Sequence, residues 1–158
     1  SIWPGRETLV SGFLPLDFDD HCPQPRDVRQ FQLHGDVRLF SAACSADPQD
    51  NRRYLFEWRD KSRAAQPLDL PEPRLGPVRA GRDGLAEPVF ALDFGMIASY
   101  RLAGPRQDCG LRLTWGWTGM AWQLLERHEM PRCAGLPAED WIATYRARAT
   151  VEGYQPNE

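Results

Sequence analysis

Residues 108–124 read DCGLRLTWGWTGMAWQL, an alternation of apolar and polar residues that predicts two adjacent β-strands. Because side chains of a strand point alternately to its two faces, Trp115 and Trp117 share one face and Arg112 lies on the other. A two-residue turn at Thr118 and Gly119 would close the hairpin. The cross-strand pairs predicted from this turn are Trp117 with Met120, Trp115 with Trp122, and Leu113 with Leu124. A slip by one residue would move the whole apolar set to the other face, so the register is strongly specified.

The three tryptophans of this hairpin have two interpretations. As core residues, each would remove on the order of 200 Å² of surface from water, and aromatic cross-strand pairs would add roughly 0.2–1 kcal/mol each. As a ligand platform, they would present an aromatic surface to a binding partner. We favour the core interpretation and keep Trp122 as a candidate binding residue.

Further strand-like segments lie on both sides of the hairpin. They are residues 30–33, 37–44, 54–59, 88–94 and 96–102. Strands separated by short loops at this spacing are typical of meanders and sandwiches rather than of alternating helices and strands. The sequence therefore predicts a mainly β fold, an antiparallel sandwich or partial barrel with one short C-terminal helix. An α+β class would apply if extra helices were present.

The C-terminal helix is predicted from a start signal and a spacing. Pro137 and the acidic pair Glu139 and Asp140 are typical of the first turn of a helix. Trp141 and Tyr145 lie four residues apart, as they would on one helical face.

The length of 158 residues fits a single domain, residues 1–158, with a sizeable core. Residues 1–30 are rich in proline, aspartate and aromatic residues, and we expect an irregular N-terminal segment. Residues 60–88 are rich in proline and glycine, and we expect a long connection there.

The four cysteines are Cys22, Cys44, Cys109 and Cys133. They allow three pairings, among which the sequence alone does not choose. We favour Cys22 with Cys44 and Cys109 with Cys133, since each pair closes a local loop of roughly 22–25 residues that is worth about 3 kcal/mol in the chain-entropy model. Disulfides persist in oxidising compartments, so a periplasmic or secreted location is expected. The alternative is a cytosolic protein with four reduced cysteines.

Charge and hydropathy exclude some classes of partner. The net charge of −3 and the pI of about 5.6 offer no basic surplus for nucleic acid. No apolar run approaches the roughly 18 residues of a membrane-spanning helix, so an integral membrane protein is not expected. The cysteine and histidine spacings match no zinc pattern, and no metal or other cofactor is predicted.

The order of cysteine, tryptophan and glycine residues resembles the C-terminal half of a bacterial secreted family, the domain of unknown function numbered eleven seventy-six. The matching positions are Asp108-Cys109-Gly110, Trp115, Trp117, Gly119, Trp122, Leu124, Cys133, Gly135 and Trp141. Departures are Gln107 in place of a glycine, Thr118 in place of an aspartate, and Trp122 in place of a phenylalanine. The resemblance covers residues 36–148. It implies an envelope or secreted location and supplies no activity, cofactor or catalytic residue.

Candidate chemistry in the chain is sparse. Asp17, Asp19 and Asp20 could hold a calcium ion, although a solvated acidic loop that complements a basic partner is the simpler interpretation. No nucleophile-elbow motif, phosphate-binding glycine loop or zinc-protease motif occurs. A hydrolase built from scattered residues would draw on His128, or on Glu126 and Glu129 as paired carboxylates.

These observations favour a non-enzymatic, disulfide-stapled module of the periplasm or secreted space that binds another protein. Its partner could be a secreted toxin or a cell-wall enzyme, which would make the chain an inhibitor or an immunity protein. The alternatives are a structural or assembly component of the cell envelope, and a hydrolase with a site of scattered residues.

Overall fold

In a computed structural model of the chain, the described residues are 8–9, 22, 25–33, 37–47, 49–61, 64–91 and 95–147. The chain divides into two compact units, Ser1–Ala86 and Glu87–Glu158. The interpretation of residues 1–158 as one domain stays a prediction.

The first unit contains a five-stranded antiparallel meander in the order β1-β2-β3-β4-β5 and a two-stranded ribbon of β6 and β7. The strands are β1 (Thr8–Leu9), β2 (Arg26–Gln32), β3 (Val37–Ala43), β4 (Tyr54–Arg59), β5 (Ala64–Pro67), β6 (Asp69–Leu70) and β7 (Val78–Arg79). Phe40 and Phe56 are direct cross-strand partners, and both are buried in a cluster that includes Cys22. The disulfide between Cys22 and Cys44 anchors this cluster covalently.

The second unit contains another five-stranded antiparallel meander, in the order β12-β11-β10-β9-β8. The strands are β8 (Pro88–Ala91), β9 (Met96–Ala103), β10 (Cys109–Trp117), β11 (Trp122–Met130) and β12 (Ile142–Arg146). The prediction of a mainly β, antiparallel fold is therefore confirmed. Within the described residues both five-stranded sheets are open, each with two edge strands.

The turn of the tryptophan hairpin lies one residue further along than predicted. Trp117 pairs with Trp122, and the N–H of Thr118 donates to the carbonyl oxygen of Ala121 at 2.9 Å. The turn residues are therefore Gly119 and Met120. Gly119 has a φ of 96°, which glycine adopts without the steric cost that other residues meet.

The predicted cross-strand pairs are therefore wrong, although the predicted face is right. The pairing is displaced by two positions, an even number, so Trp115, Trp117 and Trp122 still share one face. Met120 leaves that face and is 81% exposed at the tip of the hairpin. The hydroxyl of Thr118 favours the observed turn because it accepts hydrogen bonds from the N–H groups of Met120 and Ala121.

The predicted C-terminal helix is wrong. The acidic pair lies in a 3-10 turn, Ala138–Asp140, and strand β12 follows. Residues four apart share a face in a helix and also in a strand, so the spacing of Trp141 and Tyr145 does not separate the two. The intervening Ile142 and Thr144 are β-branched and favour the strand.

Both segments that were expected to be irregular contain strands. Strand β2 begins at Arg26, within residues 1–30, and strands β5, β6 and β7 lie within residues 60–88. No helix among the described residues has the length and apolar character needed to cross a lipid bilayer.

Candidate functional site

The Asp-Cys-Gly motif at the start of β10 holds the loop that follows β11. Cys109 and Cys133 form a disulfide with their Cα atoms 4.5 Å apart. One carboxylate oxygen of Asp108, Oδ2, accepts a hydrogen bond from the backbone N–H of Gly135 at 2.8 Å. Gly135 has a φ of 79°, so this close turn also favours glycine. The motif therefore fixes a loop rather than a reacting group.

Gly110 completes the same motif for a steric reason. Its φ is 136°, and a Cβ atom at this position would lie 1.9 Å from the carbonyl oxygen of Arg101 on the neighbouring strand β9. No other residue fits there without displacing the backbone. The third position of the motif is thus set by the close approach of two strands.

Three potential metal ligands meet at this motif, and they do not form a metal site. Among the described residues, Asp108, Cys109 and Cys133 are the group whose ligand atoms lie close together. Both sulfur atoms belong to the disulfide, so neither is a thiolate that could bind a metal ion.

The hairpin tryptophans are core residues. Trp115 is fully buried, and Trp117 and Trp122 pack together with ring centroids 5.4 Å apart. Trp122, the candidate binding residue, is 8% exposed. Within the described part of the chain, the indole nitrogens of Trp117 and Trp122 have no hydrogen-bond partner. A binding role for Trp122 stays a prediction.

A β-bulge in strand β11 changes which side chains reach the face opposite the tryptophans. Trp115 pairs with Leu124, whereas the preceding residue, Thr114, pairs with Glu126, so Leu125 is an extra residue. An extra residue reverses the facing of every side chain beyond it. Consequently Glu126 and His128 lie on the face opposite the tryptophans. Strand β11 also continues to Met130.

Besides Gln123, six polar side chains lie on that opposite face of the second sheet, and we call the surface formed by these six the polar face. They are Tyr100 on β9, Arg112 and Thr114 on β10, Glu126 and His128 on β11, and Arg146 on β12. Tyr100, Arg112 and His128 are direct cross-strand neighbours and form one row. Thr114, Glu126 and Arg146 form the next row.

Arg112 and His128 are joined by a hydrogen bond. The Nη2 atom of Arg112 lies 3.0 Å from Nδ1 of His128. A guanidinium group only donates, so Nδ1 accepts, and the proton of the neutral imidazole is on Nε2. His128 is 5% exposed and Arg112 is half-buried. The imidazole therefore fixes the direction of the guanidinium group.

The surroundings of His128 keep its imidazole uncharged at neutral pH. Burial lowers the pKa of His128 from its usual value of 6.5, and the positive charge of Arg112 lowers this pKa further. Glu126 opposes the shift, and Arg146 adds to it. A neutral imidazole is the form that can accept the hydrogen bond from Arg112.

Glu126 has its own counter-charge on the polar face. The Nε atom of Arg146 lies 3.5 Å from Oε1 of Glu126. With His128 neutral, two arginines and one glutamate leave the polar face with a formal charge of +1. Glu129 pairs with Leu111 and lies on the tryptophan face. The two carboxylates of the hydrolase interpretation are therefore on opposite sides of the sheet.

The other residues singled out from the sequence lie outside the described residues. These are Asp17, Asp19 and Asp20. Their role in binding a partner stays a prediction.

Arg112, Tyr100 and Arg146 were not predicted from the sequence to be members of one site. Alternation along β10 did place Arg112 on the face away from the tryptophans. The signal for the rest was the doublet Leu124-Leu125: two adjacent apolar residues, both buried, break strict alternation and mark the bulge.

The comparison with known proteins gives one match. The family model described as "Protein of unknown function (DUF1176)" matches residues 16–148. This is the family that the cysteine, tryptophan and glycine residues resemble. No curated protein and no solved structure matches the chain.

Proposed function

The chain belongs to the DUF1176 family, and we propose that it is a non-enzymatic module of the periplasm or secreted space that binds another protein through its polar face. The observation that carries this proposal is the row of Tyr100, Arg112 and His128 across three adjacent strands. The described residues that carry the resemblance to the family serve the disulfide, the turns and the core. The polar face is the part of this sheet whose side chains are not needed for the disulfide, the turns or the core.

The polar face has the composition and the rigidity of a recognition surface. Arginine and tyrosine are enriched where protein interfaces gain most of their binding free energy. Side chains on paired strands are held in place before a partner arrives, so little conformational entropy is lost on binding. In addition, the hydrogen bond to His128 restricts the guanidinium group of Arg112.

The two disulfides support the proposed location. Both pairs favoured from the sequence, Cys22–Cys44 and Cys109–Cys133, are present. Such bonds persist in oxidising compartments and are rare in the reducing cytosol. An antiparallel sandwich or partial barrel is the architecture we propose for the module. Neutralisation of a secreted toxin or a cell-wall hydrolase is the role we propose for the binding.

Site-specific photo-crosslinking tests this function. A photo-crosslinking amino acid replaces Tyr100 on the polar face, and the control variant carries it at Met120, at the exposed hairpin tip. Both full-length proteins, with oxidised disulfides, are illuminated in the envelope fraction of the producing cells. We expect a discrete adduct of defined stoichiometry from position 100 and none from position 120.

The identified partner is then purified, and its complex with the unmodified chain is measured by calorimetry. A 1:1 complex that the charge reversal Arg112→Glu abolishes supports the proposal. If that variant is misfolded by circular dichroism, Thr114→Arg provides the second test of the same face. Equal adducts from both positions, or a complex insensitive to both substitutions, would show that the polar face is not the contact surface.

A further inference from the structure

Most hydrogen-bond donors of Arg112 have no acceptor among the described residues. A guanidinium group carries five N–H donors, and the described residues provide one acceptor, Nδ1 of His128. The Nε atom of Arg112 is buried without a partner, and no carboxylate among the described residues forms an ion pair with it. Among the described residues, this half-buried positive charge therefore has no ion-paired carboxylate.

Other poorly exposed arginines in the described part of the chain are satisfied differently. Arg53 donates four hydrogen bonds to Asp27 and Ser41. Arg127 lies over the ring of Tyr145, with its guanidinium carbon 5.6 Å from the ring centroid.

Arg38 also has a buried Nε atom without a hydrogen-bond partner, but a carboxylate oxygen of Asp60 lies 3.8 Å from it. Arg112 differs from these three arginines because, among the described residues, no carboxylate forms an ion pair with it and no aromatic contact is seen. The Nε atom of Arg112 is closed to solvent, whereas its Nη1 atom is not among the buried unpaired atoms. An external anion at the Nη1 and Nη2 edge of the guanidinium group would supply a counter-charge, because a charge partly withdrawn from water is costly without one.

We infer that Arg112 anchors a carboxylate-binding site on the polar face, which takes an aspartate or glutamate side chain of the partner protein. This inference rests on the proposed function and names the chemistry of its central contact. His128 is a positioning residue, since it holds the guanidinium group through Nδ1. Tyr100, the cross-strand partner of Arg112, and Thr114, two residues along β10, lie on the same face of the sheet.

The charge of the polar face favours a carboxylate over a phosphate. Its formal charge of +1 matches a monoanion. Glu126 lies in the adjacent row and would repel a dianion more strongly than a monoanion. Carboxylates also match the planar fork of a guanidinium group, which can donate two parallel hydrogen bonds to them.

Anion titration followed by NMR tests the site without a protein partner. Full-length, isotope-labelled protein with oxidised disulfides is titrated with N-acetyl-glutamate amide, with inorganic phosphate and with chloride, at constant ionic strength. We expect saturable shifts of the His128 ring and of the backbone at residues 100, 112 and 128 with the glutamate probe. Phosphate should bind more weakly, and chloride should produce no saturable change.

Matched variants assign the effect to Arg112. Arg112→Gln should weaken binding of the glutamate probe by about tenfold or more. Arg112→Lys keeps the positive charge but loses the planar guanidinium group. Its affinity for the glutamate probe should lie between those of Arg112→Gln and wild type. The control Arg106→Gln changes an exposed arginine away from the polar face and should bind like wild type. If Arg112→Gln does not fold, the Arg112→Lys comparison decides.

Each outcome separates the inference from the proposed function. Absence of saturable shifts, equal binding by wild type and Arg112→Gln, or tighter binding of phosphate would overturn the carboxylate site. If a purified partner binds with equal affinity to wild type and Arg112→Gln, the inference fails while the protein-binding function stands. If the glutamate probe binds as expected and no protein complex exists, the carboxylate chemistry stands and the proposed function fails.

Discussion

Arg53 in the first unit and Arg112 in the second are both strand or strand-edge arginines with limited exposure, and their surroundings differ. The guanidinium group of Arg53 donates to the hydroxyl and carbonyl oxygens of Ser41 and to the carboxylate and carbonyl oxygens of Asp27, at 2.7–3.1 Å. That of Arg112 donates to one imidazole nitrogen.

The difference distinguishes an arginine that stabilises the fold from one whose side chain is available to a binding partner. The four bonds of Arg53 join β2 to β3 beside an irregular pairing between Arg26 and Arg29, where Asp27 has a φ of 48°. Its side chain is 14% exposed and its charge is matched by Asp27. Arg112 occupies a regular position on a central strand, and within the described segments its guanidinium group forms a hydrogen bond to His128 alone. Folding therefore requires the first arginine more than the second.

The largest expected effect is on stability at Arg53. Arg53→Gln should lower the free energy of unfolding by about 2–3 kcal/mol, because it removes a charged, poorly exposed donor that binds Ser41 and one carboxylate oxygen of Asp27. Urea unfolding followed by tryptophan fluorescence measures the change.

Arg53→Lys provides the control, since it keeps the charge but cannot make the four bonds together. We expect a loss close to that of Arg53→Gln. A loss below about 0.5 kcal/mol in both variants, the size of an ordinary surface substitution, would contradict a structural role for Arg53.

The sequence allowed the faces of the tryptophan hairpin to be predicted but not its pairing. Faces depend only on whether positions are odd or even, so Trp115, Trp117 and Trp122 were grouped correctly even with the turn misplaced by one residue. The position of the turn depends on the hydroxyl of Thr118. The hydrogen bonds that it accepts from the N–H groups of Met120 and Ala121 favour a turn at Gly119 and Met120 over the predicted turn at Thr118 and Gly119.

The polar face could not be predicted from the sequence, because its residues become neighbours only through the register of the paired strands. Arg112 and His128 are 16 residues apart, and the bulge at Leu125 decides that they share a face. A strand without the bulge would have put His128 beside the tryptophans. The C-terminal strand raises the same difficulty, since the spacing of Trp141 and Tyr145 is compatible with both a helix and a strand.

A smaller effect on stability is expected at Arg112, and it sharpens the contrast with Arg53. Arg112→Gln removes one hydrogen bond and also relieves a half-buried charge without a carboxylate partner among the described residues. These two contributions have opposite signs, so the free energy of unfolding should change by less than about 1 kcal/mol. The same urea titration measures it, beside Arg53→Gln. A loss as large as that of Arg53→Gln would make Arg112 a second structural arginine.

The smallest expected effect is a change in pH dependence at His128. Burial, followed by the charge of Arg112, lowers the pKa of His128 in the folded chain from its usual value of 6.5. Below that pH the unfolded chain binds a proton more readily than the folded chain, so acidification favours unfolding until the pKa of the folded state is reached. His128→Asn keeps an acceptor for Arg112 but does not titrate. The unfolding free energy of this variant should therefore fall less than that of wild type between about pH 7 and pH 5.

The titration of the His128 ring, followed by NMR, connects this effect to the arginine comparison. Arg112→Gln removes a positive charge that lowers the pKa of His128, so the imidazole of this variant should titrate at a higher pH than that of wild type. Arg53→Gln, in the other unit, should leave the titration unchanged. A folded wild-type imidazole that titrates at or above 6.5 would contradict the lowering of the pKa of His128 by burial and by the charge of Arg112.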